Sequence, residues 1–157
     1  MPPPGRSLEL PGPAPLGSFR APATESEDRM AAASSVRVLI VDDYASMLGV
    51  LRKLLGQLGI DDIEEASDGS AALQKLRAGA FGLVISDWNM EPMSGIQLLR
   101  EMRADPALND IPFIMVTAET RAESMAEAKA AGASGFIVKP FDAGTLRSKV
   151  AGVLGGI

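Results

Sequence analysis

A doubly wound α/β fold, five parallel strands with helices on both faces of the sheet, is what the sequence predicts from residue 36 onward. Three observations predict it. Short apolar runs alternate five times with stretches of helical periodicity. Four of the five runs are apolar without interruption, as strands are when helices cover both sides. At 157 residues and 46% hydrophobic, the chain can bury one real core, with no room for a second folded domain.

The elements follow in order. VRVLIV (36–41) is the first strand. Residues 45–58 form a helix with Met47, Leu51, Leu54, Leu55 and Leu58 on one face, stopped by Gly59. DIEEAS (62–67) is shorter and more polar, which suits a sheet edge. Helix 69–78 turns Ala72, Leu73 and Leu76 inward. FGLVIS (81–86) is the third strand, and helix 95–104 stops at Asp105-Pro106, because the residue before a proline avoids helical backbone. PFIMVT (112–117), helix 121–131, SGFIV (134–138) and helix 142–154 complete the series.

Residues 1–34 differ from the rest. They are rich in Pro, Ala, Gly and Ser without sustained periodicity, which reads as a disordered extension preceding a folded unit at 35–157. Met30 stands just before the folded part and is a candidate translation start. The extension lacks the apolar core of a signal peptide, and no run of about 18 apolar residues occurs, so the expectation is a cytoplasmic protein that does not cross a membrane. Net charge is −5 with no basic stripe, which argues against nucleic acid as a partner.

The chain has neither Cys nor His. That excludes disulfides, thiolate zinc sites, thiol nucleophiles and any mechanism with an imidazole base. Chemistry must run on carboxylates, hydroxyls, amines and a hard, oxygen-bound metal. The polar residues that could supply it fall in one place. Asp42 and Asp43 follow the first strand, Asp87 the third, Thr117 ends the fourth and Lys139 follows the fifth. The carboxyl ends of parallel strands share one edge of the sheet, and ligands bind there. Each residue alone has a plainer explanation: a helix cap for Asp42-Asp43, a turn former for Asp87, a strand residue in Thr117, a solvated charge in Lys139. Four coincidences at one edge are harder to explain.

Gathered carboxylates repel and raise one another's pKa unless a cation sits among them. Mg²⁺ suits them, since it takes one or two carboxylates, keeps waters and binds phosphate oxygens. Asp is also a nucleophile for phosphoryl transfer, giving an acyl phosphate. Rival motifs fail. DWNME (87–91) imitates the start of a calcium loop, but Pro92 stands where the turn Gly belongs and Leu98 where the bidentate Glu belongs. Neither GxxxxGK[ST] nor a GxGxxG turn after a strand is present.

VLIVDDYASM (38–47), VISDWNMEPMSG (84–95), IMVTAET (114–120) and AGASGFIVKPF (131–141) together resemble the receiver domain of two-component response regulators. The resemblance is greatest to stand-alone chemotaxis regulators of the CheY type. It implies a flavodoxin-like sheet of order 2-1-3-4-5, the order that general accounts of this fold give with CheY as their example. It implies that Asp87 is the phosphoacceptor, and that Asp43, Asp87 and the backbone carbonyl of Asn89 hold Mg²⁺, with Asp42 acting through water. Lys139 would contact the phosphoryl group or Asp87, before a cis bond to Pro140. Thr117 and Phe136 would form the switch, and Asn89 and Glu119 would flank the path of the attacking water.

The implied partners are a CheA-like sensor histidine kinase, a phosphatase, and a downstream protein such as the flagellar motor switch. The last would bind the face made by helix 121–131, strand 134–138 and helix 142–154. The chain would not be an enzyme beyond accepting and hydrolysing its own phosphoryl group. Two features depart from many relatives: Phe136 replaces the frequent Tyr, and no basic pair follows Met47. A phosphate sink or relay intermediate is the alternative output. A haloacid-dehalogenase-type phosphohydrolase also forms an aspartyl phosphate, but its nucleophile belongs to a DxD on the first strand, whereas Asp87 is followed by Trp88-Asn89.

Overall fold

The computed structural model describes residues 36–155, so the expectations for residues 1–34, Met30 included, lie outside the described residues. Five strands, β1 (Arg37–Val41), β2 (Asp62–Ala66), β3 (Leu83–Asp87), β4 (Phe113–Thr117) and β5 (Gly135–Val138), alternate with five helices. These are α1 (Ala45–Gln57), α2 (Gly69–Ala78), α3 (Gly95–Ala104), α4 (Ala122–Ala131) and α5 (Ala143–Leu154). The strands pair in parallel in the order β2-β1-β3-β4-β5. This is the flavodoxin-like order, and the polar β2 lies at an edge as its composition predicts.

Side chains alternate across a strand, so each buried strand feeds two cores. On one side Leu39, Val41, Val84, Phe113 and Met115 meet Leu73 and Leu76 of α2, Leu98, Leu99 and Met102 of α3, and Ala128 of α4. On the other, Val38, Ile40, Ile85, Ile114, Val116 and Ile137 meet Leu48, Leu51 and Leu55 of α1 and Leu146 and Val150 of α5. Each large side chain so covered contributes about 1.5–3 kcal/mol.

The helix ends are fixed by local chemistry. Asp68 caps α2 by accepting from the amides of Ser70 and Ala71, at 2.7 and 3.0 Å. Ser94 and Gln97 exchange side-chain and backbone bonds as a capping box at the start of α3. Asp142 accepts from Thr145 N–H at 2.7 Å and is thereby held below the usual carboxylate range. Gly59 and Gly132 end α1 and α4 with φ of 88° and 104°, where a Cβ is strained. Arg103, at the end of α3, donates to the carbonyls of Asn109, Ile111 and Gly132 at 2.8–3.2 Å and ties α3 to the starts of β4 and β5.

Several expectations need correction. The third strand is displaced from 81–86 to Leu83–Asp87, because Gly82 N–H is drawn to the Arg37 carbonyl while Trp88 N–H extends the pairing to Val116. Asp87 is therefore the last residue of a strand rather than a turn former. The buried stripe of α1 centres on Leu48, Leu51 and Leu55, with Met47, Leu54 and Leu58 only half-covered on its flanks. Helices α2 and α3 keep the expected bounds, and the remaining strands and helices shift by a single residue at one end. The Lys139–Pro140 bond is cis as the resemblance implies, and Glu91–Pro92 is cis as well.

Candidate functional site

Pairing in register brings the strand ends level. Val41 lies opposite Ser86, Asp87 opposite Val116, and Thr117 opposite Val138. The residues that follow these positions meet on one edge, as the sequence predicts. Asp42 and Asp87 are 1% and 8% exposed, and Thr117 is fully buried, so these polar groups are held inside the fold. One oxygen from each of Asp42, Asp43 and Asp87 lies within 4.8 Å of the others. Lys139 Nζ is 3.3 Å from both Asp42 Oδ2 and Asp87 Oδ1.

One ammonium thus pairs with two of the three gathered carboxylates. Burial pushes the Asp87 carboxyl above its ordinary value, Lys139 opposes that rise, and the charge of Asp42 adds to it. Burial prevails over the ion pair. The site has more carboxylates than ammonium groups, and the raised proton affinity of Asp87 reports chiefly its burial. Asp42 has two duties: Oδ1 accepts from Tyr44 N–H at 3.0 Å, ordering the entrance to α1, while Oδ2 faces Lys139.

Asp43 is exposed and opens onto a groove of about 420 Å³ lined also by Trp88, Asn89, Met90, Glu91 and Ser94. The structure places Asn89 beside Asp43 in this groove. Three hard oxygen donors, two buried and one facing water, fit Mg²⁺, which favours carboxylates on one side and keeps waters on the other. Softer metals have no thiolate or imidazole here.

Thr117 Oγ1 accepts from Glu119 N–H at 3.0 Å, which leaves its own proton to donate. Glu119 is tied to Arg121. Its carboxylate accepts from Arg121 N–H at 2.9 Å and pairs with Arg121 Nε at 3.0 Å, and these bonds hold it below the usual carboxylate range. Sequence reading missed Arg121, although an opposite charge two residues after Glu119 was visible. Phe136 is half-buried against the core, its ring meeting Trp88 edge-to-face with centroids 6.5 Å apart and planes at 74°. It also borders a groove of about 300 Å³ shared with Met125, Ala126, Lys129 and Ala133. That contact with Trp88 had no signature in the sequence.

The profile of the response regulator receiver domain family matches residues 38–151. The chain belongs to this family. Among curated relatives of this receiver domain, chemotaxis protein CheY-3 of Vibrio cholerae is 46% identical over 116 residues, 74% of this chain and 89% of that protein. Chemotaxis protein CheY of Pseudomonas aeruginosa is 44% identical over 115 residues, 73% and 93% of the two chains. Among solved structures, chemotaxis response regulator CheY4 of Vibrio cholerae superposes with a TM-score of 0.71 at 36% identity, covering 75% of this chain and 98% of that one. CheY in the CheX–CheY–BeF3–Mg complex of Borrelia burgdorferi gives 0.71 at 28% identity, covering 75% and 88%. The receiver domain described here is therefore homologous to CheY-type signalling proteins. No helix among the described residues is long and apolar enough to cross a membrane.

Proposed function

We propose that this receiver domain accepts a phosphoryl group on Asp87 from a sensor histidine kinase, and signals by binding a protein in that state. The observation that carries the reading is the setting of Asp87: a buried strand-end carboxylate with oxygens of Asp42 and Asp43 within 4.8 Å and Lys139 at 3.3 Å. An Asp87 oxygen attacks phosphorus, the bond from phosphorus to the donor nitrogen breaks, and its electron pair leaves with the imidazole. The product is an acyl phosphate.

Lys139 and the Thr117 hydroxyl would meet phosphoryl oxygens. Asp43, Asp87 and the Asn89 carbonyl would hold Mg²⁺, with Asp42 acting through water. When bound, that ion offsets the charge gathered on the transferring oxygens. Asn89 and Glu119 would border the route of the water that later hydrolyses the acyl phosphate. Phosphorylation acts as a population shift between two conformers, with Thr117 and Phe136 as the moving parts and the α4–β5–α5 face as the output.

Relatives named as chemotaxis proteins favour a cytoplasmic chemotaxis role with a CheA-like kinase, a phosphatase and a flagellar motor switch as partners. The absence of a basic pair after Met47 favours a phosphate sink or relay intermediate as the second reading. The test is labelling with acetyl phosphate. Asp87→Asn abolishes the label and chelation of Mg²⁺ stops both gain and loss of it. Label retained on the variant at Asp42 or Asp43 refutes the assignment.

A further inference from the structure

The Asp87 carbonyl is held in a way that the sheet does not explain. It lies one residue beyond Ser86, the last residue of β3 that pairs with β1, and Asp42 N–H, just after β1, is turned to Ala66. Its one donor among the described residues is the hydroxyl of Ser86, at 2.8 Å. Ser86 is completely buried, on the side of the sheet opposite the face where Ile85 packs. The next carbonyl, that of Trp88, accepts from Gly95 N–H at 2.8 Å, and Trp88 N–H donates to Val116 at 3.1 Å. Two successive peptide planes after Asp87 are thus pinned by Ser86 and by the first residue of α3.

Gly95 is confined by the same carbonyl. A Cβ at this position would lie 2.1 Å from the Asp87 carbonyl oxygen, 3.0 Å from its carbon and 3.1 Å from Met115 Sδ. The obstacle is backbone, so no side chain can swing aside. Any larger residue forces the start of α3 and the end of β3 apart by about 1 Å, a displacement of the size that costs a reaction about a hundredfold. Burial alone does not require a hydroxyl at 86 or a bare Cα at 95, since apolar residues fill the buried positions of β3 from Leu83 to Ile85.

We propose that Ser86 and Gly95 are positioning residues for the phosphoacceptor: together they clamp the Asp87 carbonyl, and this sets the line along which the Asp87 carboxylate meets phosphorus. The inference rests on the reading of Asp87 as the phosphoacceptor. The clamp fixes the backbone torsions on both sides of Asp87 while leaving its carboxylate free toward Lys139 and Asp43. It touches no reacting atom, so its loss slows the chemical step without weakening donor binding.

The test compares Ser86→Ala, Ser86→Thr and Gly95→Ala with the unaltered full chain at saturating Mg²⁺. The maximal rate of labelling by acetyl phosphate and its half-saturating concentration are measured, with label mapped to Asp87 and melting temperature recorded. Ser86→Ala lowers the maximal rate about tenfold (a lost hydrogen bond to a buried carbonyl) with half-saturation within about twofold, and Ser86→Thr, which keeps the donor, recovers most of the rate. Gly95→Ala loses about a hundredfold. If Gly95→Ala fails to fold, the Ser86 pair decides. Ser86→Ala labelling at the unaltered rate overturns the inference. So does an equal slowing of the Ala and Thr variants in step with their melting temperatures, which marks Ser86 as packing only. An unaltered chain that gains no label at Asp87 sinks the phosphoacceptor reading, and the clamp with it.

Discussion

Replacing Asp87 by Asn should make the metal-free protein more stable at neutral pH, although it removes an ion pair. In the folded chain Asp87 meets two carboxylates within 4.8 Å and one ammonium at 3.3 Å. At an effective dielectric constant of about 20, each repulsion is worth about 3.5 kcal/mol and the attraction about 5 kcal/mol. Screening of the exposed Asp43 brings the two repulsions close to the one attraction, so burial, the largest cause of the raised Asp87 pKa, sets the sign, and its relief is worth about 1–2 kcal/mol. A gain of that size lifts the melting temperature by about 3–6 °C.

The sign fixes the pH dependence. A carboxyl whose folded pKa is raised binds its proton more tightly in the folded state, so wild-type stability falls as pH rises from the unfolded value of 3.8 through the folded one. The advantage of Asp87→Asn is therefore full at pH 7 and vanishes by about pH 3. The assay is thermal unfolding of both proteins in chelator across that range, repeated with Mg²⁺. At a hundredfold excess over its dissociation constant the ion adds about 2.7 kcal/mol to the wild type and far less to the variant. A variant less stable than wild type at pH 7 in chelator would show that Lys139 outweighs the carboxylates, and would refute the reasoning.

Three further outcomes follow from single contacts. Asn89→Arg should lengthen the phosphoryl lifetime severalfold, because a long cation would lie in the groove shared with Asp43; an unchanged decay rate means that water approaches elsewhere. Phe136 should exchange between ring rotamers even without phosphate, since a Phe gives up no hydrogen bond on turning inward and gains about 1.5–3 kcal/mol when its ring is covered. NMR of labelled Phe with and without beryllofluoride checks this, Phe136→Tyr should shift the balance, and one fixed rotamer in both states assigns Phe136 to the core. Arg103→Ala should cost about 3 kcal/mol in denaturant unfolding by leaving the Gly132 and Ile111 carbonyls without their charged donor; a loss under about 0.5 kcal/mol would show that water replaces it.

The sequence made the sheet legible because its strands are covered on both sides, and uninterrupted apolar runs such as VLIV have no other use. The site was legible for a related reason: Asp42, Asp87, Thr117 and Lys139 interrupt or end those runs where strands end. Less visible were features that depend on two elements meeting. Leu48 looks peripheral in a stripe drawn through Met47 and Leu51, yet the helix rotates it onto the sheet and leaves Met47 half-covered. Ser86 reads as a small residue inside a strand, and Gly95 as a helix start. The bond from the Ser86 hydroxyl to the Asp87 carbonyl, and the close approach of Gly95 to the same carbonyl, emerge only in the fold. Glu119 was legible as a residue near the site, but its hold by Arg121 depends on the turn between them.

Among the described residues Lys139 supplies the one ammonium paired with Asp42 and Asp87, and it follows the shortest strand, β5, an edge strand with four residues and one neighbouring strand. Its backbone is fastened there by the bond from Lys139 N–H to the Thr117 carbonyl at 2.7 Å. The counter-ion of a central acidic cluster is thus mounted at an edge of the sheet. Loosening of that edge would carry the neutralising charge away from the carboxylates. Whatever grips the rim strengthens that neutralisation, and by reciprocity whatever adds negative charge at the centre tightens the rim. Electrical balance at the middle of the sheet and mechanical firmness at its border are one equilibrium, observed from two ends.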